Sequence, residues 1–195
     1  MHFPKQSISI KEEEPFINDI FEEKVTVSTI FKKAGVPCAL LFMDFFISFI
    51  LYPSIVYQKV PMIISGNSSW SIFYLNVAWA FGDFPGRTLG RIRDKYSKVF
   101  LVSGNVLRLF FVFSTFFIAL VENSFTNNVA VILINAWLTG FTNGFFGVAA
   151  CNTINSLLEN HEKEMGGFVM SVLINSGIGL GSMVSLVGFS HIFNH

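Results

Sequence analysis

Five apolar stretches of at least 21 residues each, at about 34–57, 70–90, 99–121, 128–152 and 166–190, decide most of what this chain can become. A helix advances about 1.5 Å per residue, so roughly 20 apolar residues carry it across the hydrocarbon of a bilayer. A barrel strand needs only about ten, with apolar and polar residues in alternation, and none of the five stretches alternates. The pattern predicts an all-α, polytopic membrane protein: a bundle of about five transmembrane helices over 34–190, preceded by a cytoplasmic polar and amphipathic segment, 1–33. Composition agrees, since 13% of residues are charged against about 25% in soluble domains. Those charges gather in 1–33, 87–98 and 158–164, between the apolar stretches.

Within 1–33, the run Lys11-Glu12-Glu13-Glu14 is followed by Phe16, Ile17, Ile20, Phe21, Val27, Ile30 and Phe31 at near-helical spacing. That spacing fits either a helix lying on the membrane surface or, for 1–15, an irregular tail. The start has no apolar core of signal-peptide type, so no cleavage is expected there. Lysine and arginine set the orientation. With a cytoplasmic amino terminus, Lys5, Lys11, Lys24, Lys32, Lys33, Arg91, Arg93, Lys95, Lys98 and Lys163 fall inside and only Lys59 outside. The carboxyl terminus is then extracytoplasmic. The sequon Asn67-Ser68-Ser69 falls in an outside loop, which agrees.

Ionisable residues inside spans are costly, by roughly 2.5–3.5 kcal/mol each on insertion scales, and are functional candidates by default. There are four: Asp44, Asp83, Arg87 and Arg108. Asp83 and Arg87 stand four apart, share a helix face and can pair. They lie in Gly82-Asp83-Phe84-Pro85-Gly86-Arg87, where Pro85 opposes regular helix and threatens a bend. This pair reads equally as the lining of a substrate path or as a structural ion pair. Arg108 needs a partner, and Asp44 sits at similar depth in the first span. They can form a structural pair, or Arg108 can contact substrate. Asp44 alone could stay protonated, which makes it a candidate proton carrier.

Small residues recur at helical spacing: Gly82, Gly86 and Gly90, Gly140-x-x-x-Gly144, and Gly177, Gly179 and Gly181. Helix packing is the plain reading of these and of the polar Asn135, Asn143, Asn152 and Asn175. Several function classes are excluded. A net charge of zero gives no general attraction to nucleic acid. Cys38 and Cys151 lie in apolar stretches and read as small buried hydrophobes, and His2, His161, His191 and His195 show no metal spacing. Neither a cofactor motif nor a nucleophile–base set is readable, so the chain is not read as an enzyme.

Three segments carry a family resemblance. Asp83-Phe84-Pro85-Gly86-Arg87 fits an Asp-x-x-Gly-Arg signature. Thr142-Asn143-Gly144-Phe145 fits a Ser/Thr-Asn-Gly-aromatic element. Glu164-Met165-Gly166-Gly167-Phe168-Val169-Met170, followed by Gly177-Ile178-Gly179-Leu180-Gly181-Ser182, resembles a glycine-rich last helix with an acidic residue before it. Ser48-Phe49-Ile50-Leu51-Tyr52-Pro53 and Arg108 fit the same series in order. Together, over roughly 34–190, these resemble the equilibrative nucleoside transporters, specifically their carboxy-terminal helices seven to eleven.

The resemblance implies half of a major-facilitator-like fold and facilitated transport of nucleosides, sometimes nucleobases, as part of a larger eleven-helix transporter. It implies that Asp83, Arg87, Arg108 and Asn143 bind substrate or gate the path, that Gly82, Gly86, Gly177 and Gly181 pack helices, and that no metal or cofactor takes part. The implied partners are a nucleoside, the lipid bilayer and a six-helix amino-terminal half, covalent or separate. The implied location is the plasma membrane or an organelle membrane. Two positions depart from the family pattern: Pro85 within the signature, and Ala80 where many members carry asparagine. With no amino-terminal half in this sequence, the alternative is a non-transporting membrane fragment or an assembly partner of a full-length transporter.

Overall fold

The computed structural model describes residues 25–52, 68–121 and 123–193, with Ser68 and 188–193 as backbone only. Its elements are α1 (Val27–Leu51), α2 (Ser68–Gly90), α3 (Lys98–Leu120), α4 (Val129–Leu157), a short 3-10 turn (Asn160–Glu162) and α5 (Lys163–Phe193), with no strand among the described residues. Four segments are both long and apolar enough to cross a membrane: Val27–Leu51, Lys98–Leu120, Val129–Leu157 and Asn160–Val187. The outward surface is apolar too. Val99, Phe110 and Phe113 on α3 and Phe81 and Phe84 on α2 are each more than 60% exposed, an arrangement suited to lipid and hostile to water. The chain is an all-α, multi-pass integral membrane protein.

The sequence reading expects about five spans, and α2 stands apart from the four apolar ones. At 23 residues it has the length, but Asn76, Asp83, Arg87 and several serines keep it outside the apolar set. Its polarity is compensated by packing. α2 runs parallel to α4 over most of its length, and this is the most extensive interface in the bundle, followed by α1 with α5. Glycine makes the α2–α4 approach possible. A Cβ at Gly82 would strike the Trp137 carbonyl, and one at Gly86 the Phe141 carbonyl. Reciprocally, a Cβ at Gly140 would strike the Trp79 carbonyl, and one at Gly144 the Asp83 carbonyl. Two glycine stripes therefore face each other, letting backbone touch backbone. α5 does the same against α1, where a Cβ at Gly177 or Gly181 would meet the carbonyl of Phe42 at 2.8 Å or Phe46 at 2.7 Å. Gly179 faces open space instead.

α1 begins at Val27, seven residues before the expected boundary, because Thr26 caps it by accepting from the Thr29 amide at 3.4 Å. The helix then breaks stride at Ala34 (φ −127°, ψ 24°). Pro37 lies three residues on, and its ring and missing N–H disrupt the preceding turn. Pro85 behaves otherwise: α2 continues through it without interruption. The glycine stripe locks the backbone to α4 on both sides of that proline. α2, α3 and α5 begin and end within three residues of 70–90, 99–121 and 166–190, α4 continues to Leu157, five residues beyond 152, and α1 closes at Leu51. Residues 1–24, Pro53 to residue 57, Lys59 and Asn67, for which the sequence raises expectations, lie outside the described residues.

One end of the bundle holds every described lysine and arginine other than Arg87 and Arg108. There, Lys33 reaches Glu159 at 2.9 Å and Glu162 at 2.7 Å, tying the start of α1 to the α4–α5 turn. Asn152 of α4 donates to the Gly90 and Arg93 carbonyls (3.3 and 3.2 Å). The Tyr96 amide donates to Thr153 Oγ1 at 3.1 Å, and the Tyr96 hydroxyl to the Gly90 carbonyl at 3.3 Å. These bonds satisfy carbonyls that the end of α2 would otherwise leave open.

Candidate functional site

The four ionisable residues expected inside the spans do not stay apart. Arg87 Nε donates to Asp83 Oδ2 at 2.5 Å, the i,i+4 pair that α2 places on one face. The other oxygen of the carboxylate, Oδ1, accepts from Asn143 Nδ2 of α4 at 2.9 Å. Asn143 Oδ1 accepts in turn from the Ser48 hydroxyl of α1 at 2.6 Å. Ser48 Oγ accepts from Arg108 Nη2 of α3. Arg108 Nη2 also donates to the Asp44 carbonyl at 3.1 Å, and its Nη1 lies 2.9 Å from Asp44 Oδ1. A continuous polar path thus runs Arg87, Asp83, Asn143, Ser48, Arg108, Asp44 through four helices.

Its chemistry follows from burial. Asp44 and Arg108 are each about 1% exposed, Asn143 1% and Ser48 1%, while the Arg87 side chain is 47% exposed. The path is closed at one end and open at the other. The Nη1–Oδ1 contact between Arg108 and Asp44 is close but poorly aligned, so it is an electrostatic pair without a good hydrogen bond. Asp44 Oδ2 and Arg108 Nε have no hydrogen-bond partner among the described residues. In low dielectric such a pair persists because either charge alone would cost more. Gly147 leaves space for it: a Cβ there would sit 3.1 Å from Asp44 Oδ2.

Ser48 is the residue that reasoning from span charges missed. It carries no charge and enters the sequence reading only within a family-like segment, although it stands four residues after Asp44 on the same face of a helix. A hydroxyl has one hydrogen, so Ser48 donates either to Asn143 or to the Asp44 carbonyl at 3.0 Å. The shorter contact, to Asn143, links the two ion pairs. Asn152 does not join the path but caps α2, and among the described residues Asn175 bonds only to its own helix, at the Ser171 carbonyl. Gly82 and Gly86 flank Asp83 at the α2–α4 contact, whereas Gly177 and Gly181 act at the separate α1–α5 contact. Asn135 forms its own small cluster, accepting from Ser114 at 2.7 Å and donating to Thr115 at 2.8 Å. Beside it lies a cavity of about 20 Å³ that also touches Leu51, Tyr52 and Thr139, room for about one water. Among the described residues no group of histidine, cysteine and acidic side chains could hold a metal.

No family model matches the sequence. Among curated proteins, the chain is similar to Nucleoside transporter 2 of Crithidia fasciculata, with 23% identity over 167 residues. The match covers 84% of this chain, and the chain spans about a third (32%) of that relative's length. The likeness supports a relationship to a transporter.

Proposed function

We propose that this chain is the five-helix carboxy-terminal part of an equilibrative nucleoside transporter, with α2 as a fifth crossing and a six-helix half supplied covalently or by a partner. The observation that carries the reading is the Arg87–Asp83 pair. It is open to the bundle surface through Arg87 and held from behind by Asn143. A nucleoside is neutral, and a paired acid and base offer it donors and acceptors without a free charge. In this reading ribose hydroxyls bond to Asp83 and Arg87 at the seam between the halves, near the bilayer midplane. Asn143 orients the carboxylate. Arg108 and Asp44 brace the site from within, and a proton on Asp44 would loosen that brace. The amino terminus is cytoplasmic and the carboxyl terminus extracytoplasmic, in the plasma membrane or an organelle membrane. The likeness to Nucleoside transporter 2 supports the substrate class.

The test is uptake of labelled uridine and adenosine by the longer protein containing this chain, with Asp83→Asn. Uptake should vanish while surface biotinylation shows normal insertion. Full uptake by that variant would remove the pair from the mechanism. A second reading is a non-transporting membrane fragment or an assembly partner of a full-length transporter. That reading predicts co-purification with a full-length transporter and no uptake by this chain alone.

A further inference from the structure

At the basic end of the bundle, α2, α3 and α4 enclose an open groove of about 480 Å³. Its walls are Leu89, Ile92, Phe100 and Phe145, its polar lining Arg93 and Ser97, and the buried Tyr96 also contributes. The volume lies in the range of small-molecule sites. The loop behind it is rigidly held, since Asn152 grips the Arg93 carbonyl and Thr153 the Tyr96 amide. Its side chains are not. Arg91, Arg93, Lys95 and Lys98 are all exposed, and none forms an ion pair among the described residues. Asp94 is the one acid among them, so residues 91–98 carry a net +3 (four bases less one acid). Ser97 Oγ accepts from the Phe100 amide at 3.2 Å and keeps its own hydrogen to donate.

We propose that this groove binds an anionic glycerophospholipid, with the phosphate at Arg93 and Ser97 and the upper acyl chain against Ile92, Leu89 and Phe100. Charge complementarity and position choose this occupant. The unpaired cations sit where the apolar outer face of α3, including Val99 at 77% exposure, gives way to the polar loop. That is the level of lipid headgroups, where basic pockets between helices hold anionic lipids. A soluble anion would have no use for the aromatic wall, and a zwitterionic lipid would leave the net charge unanswered.

The experiment is native mass spectrometry of the full chain in detergent, incubated with dioleoyl phosphatidylserine or dioleoyl phosphatidylcholine at equal concentration. Wild-type protein should retain phosphatidylserine about fivefold better, and Arg93→Gln should bring the ratio below about twofold. Arg91→Gln, outside the groove, should leave most of the preference in place. Equal retention of the two lipids by the wild type, or an unchanged ratio in Arg93→Gln, overturns the proposal. Displacement of the lipid by millimolar glycerophosphoserine also overturns it, because phosphate alone would then be the ligand. Should Arg93→Gln fail to fold, Ile92→Ala serves instead. It changes a side chain that is 71% exposed and should lower phosphatidylserine retention about threefold. No change in that variant would likewise refute the site.

Discussion

Asn143→Ala tests whether the polar path is one network. Asn143 is 1% exposed and makes two interhelical bonds, donating to Asp83 at 2.9 Å and accepting from Ser48 at 2.6 Å. Interhelical hydrogen bonds in membrane proteins average about 0.6 kcal/mol and reach about 1.7. Two average bonds give a floor of roughly 1.2 kcal/mol. The bond to Asp83 has a charged acceptor, which places it toward the upper end. The expected loss is therefore about 2 kcal/mol, or roughly 30-fold in the unfolding equilibrium. Far-UV circular dichroism during titration of dodecyl maltoside micelles with SDS reads this directly. The loss alone would not separate bonding from a small cavity, so the decisive comparison is a cycle with Asp83→Ala. If the two residues act through their bond, the double variant should fall short of the summed single losses by about 1 kcal/mol. Additivity within about 0.3 kcal/mol would refute the network and leave Asn143 as mere filling.

Two further perturbations address the packing and the buried pair. Gly144→Ala would place a methyl against the Asp83 carbonyl and within 2.9 Å of the Arg87 amide. Because the obstacle is backbone, α2 and α4 must part, at a cost of about 1–3 kcal/mol in the same titration. Gly179→Ala, which meets nothing within 4 Å, should be neutral or slightly stabilising, and equal losses in the two variants would contradict the facing stripes. Arg108→Leu leaves Asp44 buried without its counter-charge and should destabilise by about 3–5 kcal/mol. Adding Asp44→Asn should recover part of that loss, and a double variant worse than Arg108→Leu would show that the two residues do not act as a pair.

Much of the architecture was written in linear order. Apolar runs longer than a bilayer's thickness leave helix as their outlet, since every backbone polar group must be satisfied within its own segment. The i,i+4 spacing of Asp83 and Arg87 put them on one face before any packing was known. The glycine periods at 82, 86 and 90 and at 140 and 144 marked faces fit for close approach. The first turns of α1 show in the near-helical spacing of Val27, Ile30 and Phe31, which the sequence reading assigns to the segment 1–33, while the cap at Thr26 came only with the structure. Proline was ambiguous: Pro37 accompanies a break and Pro85 does not. Local sequence names the weakness, while the neighbouring helix decides whether the backbone yields.

What the sequence by itself determined was the helical class, the pair within α2 and the smooth faces, all set by interactions between residues a few positions apart. Only the tertiary structure decided which helices touch: α2 beside α4, and α1 beside α5. It alone brought Ser48 to Asn143, 95 residues away, and it chose the contact of Arg108 with Asp44, 64 residues away, from the alternatives that the sequence left open. A glycine stripe states that something comes close but not what, because many partners can present a backbone to it. Buried polar groups narrow the choice, since leaving them unpaired is costly, and here Asp83, Asn143, Ser48 and Arg108 meet across four helices.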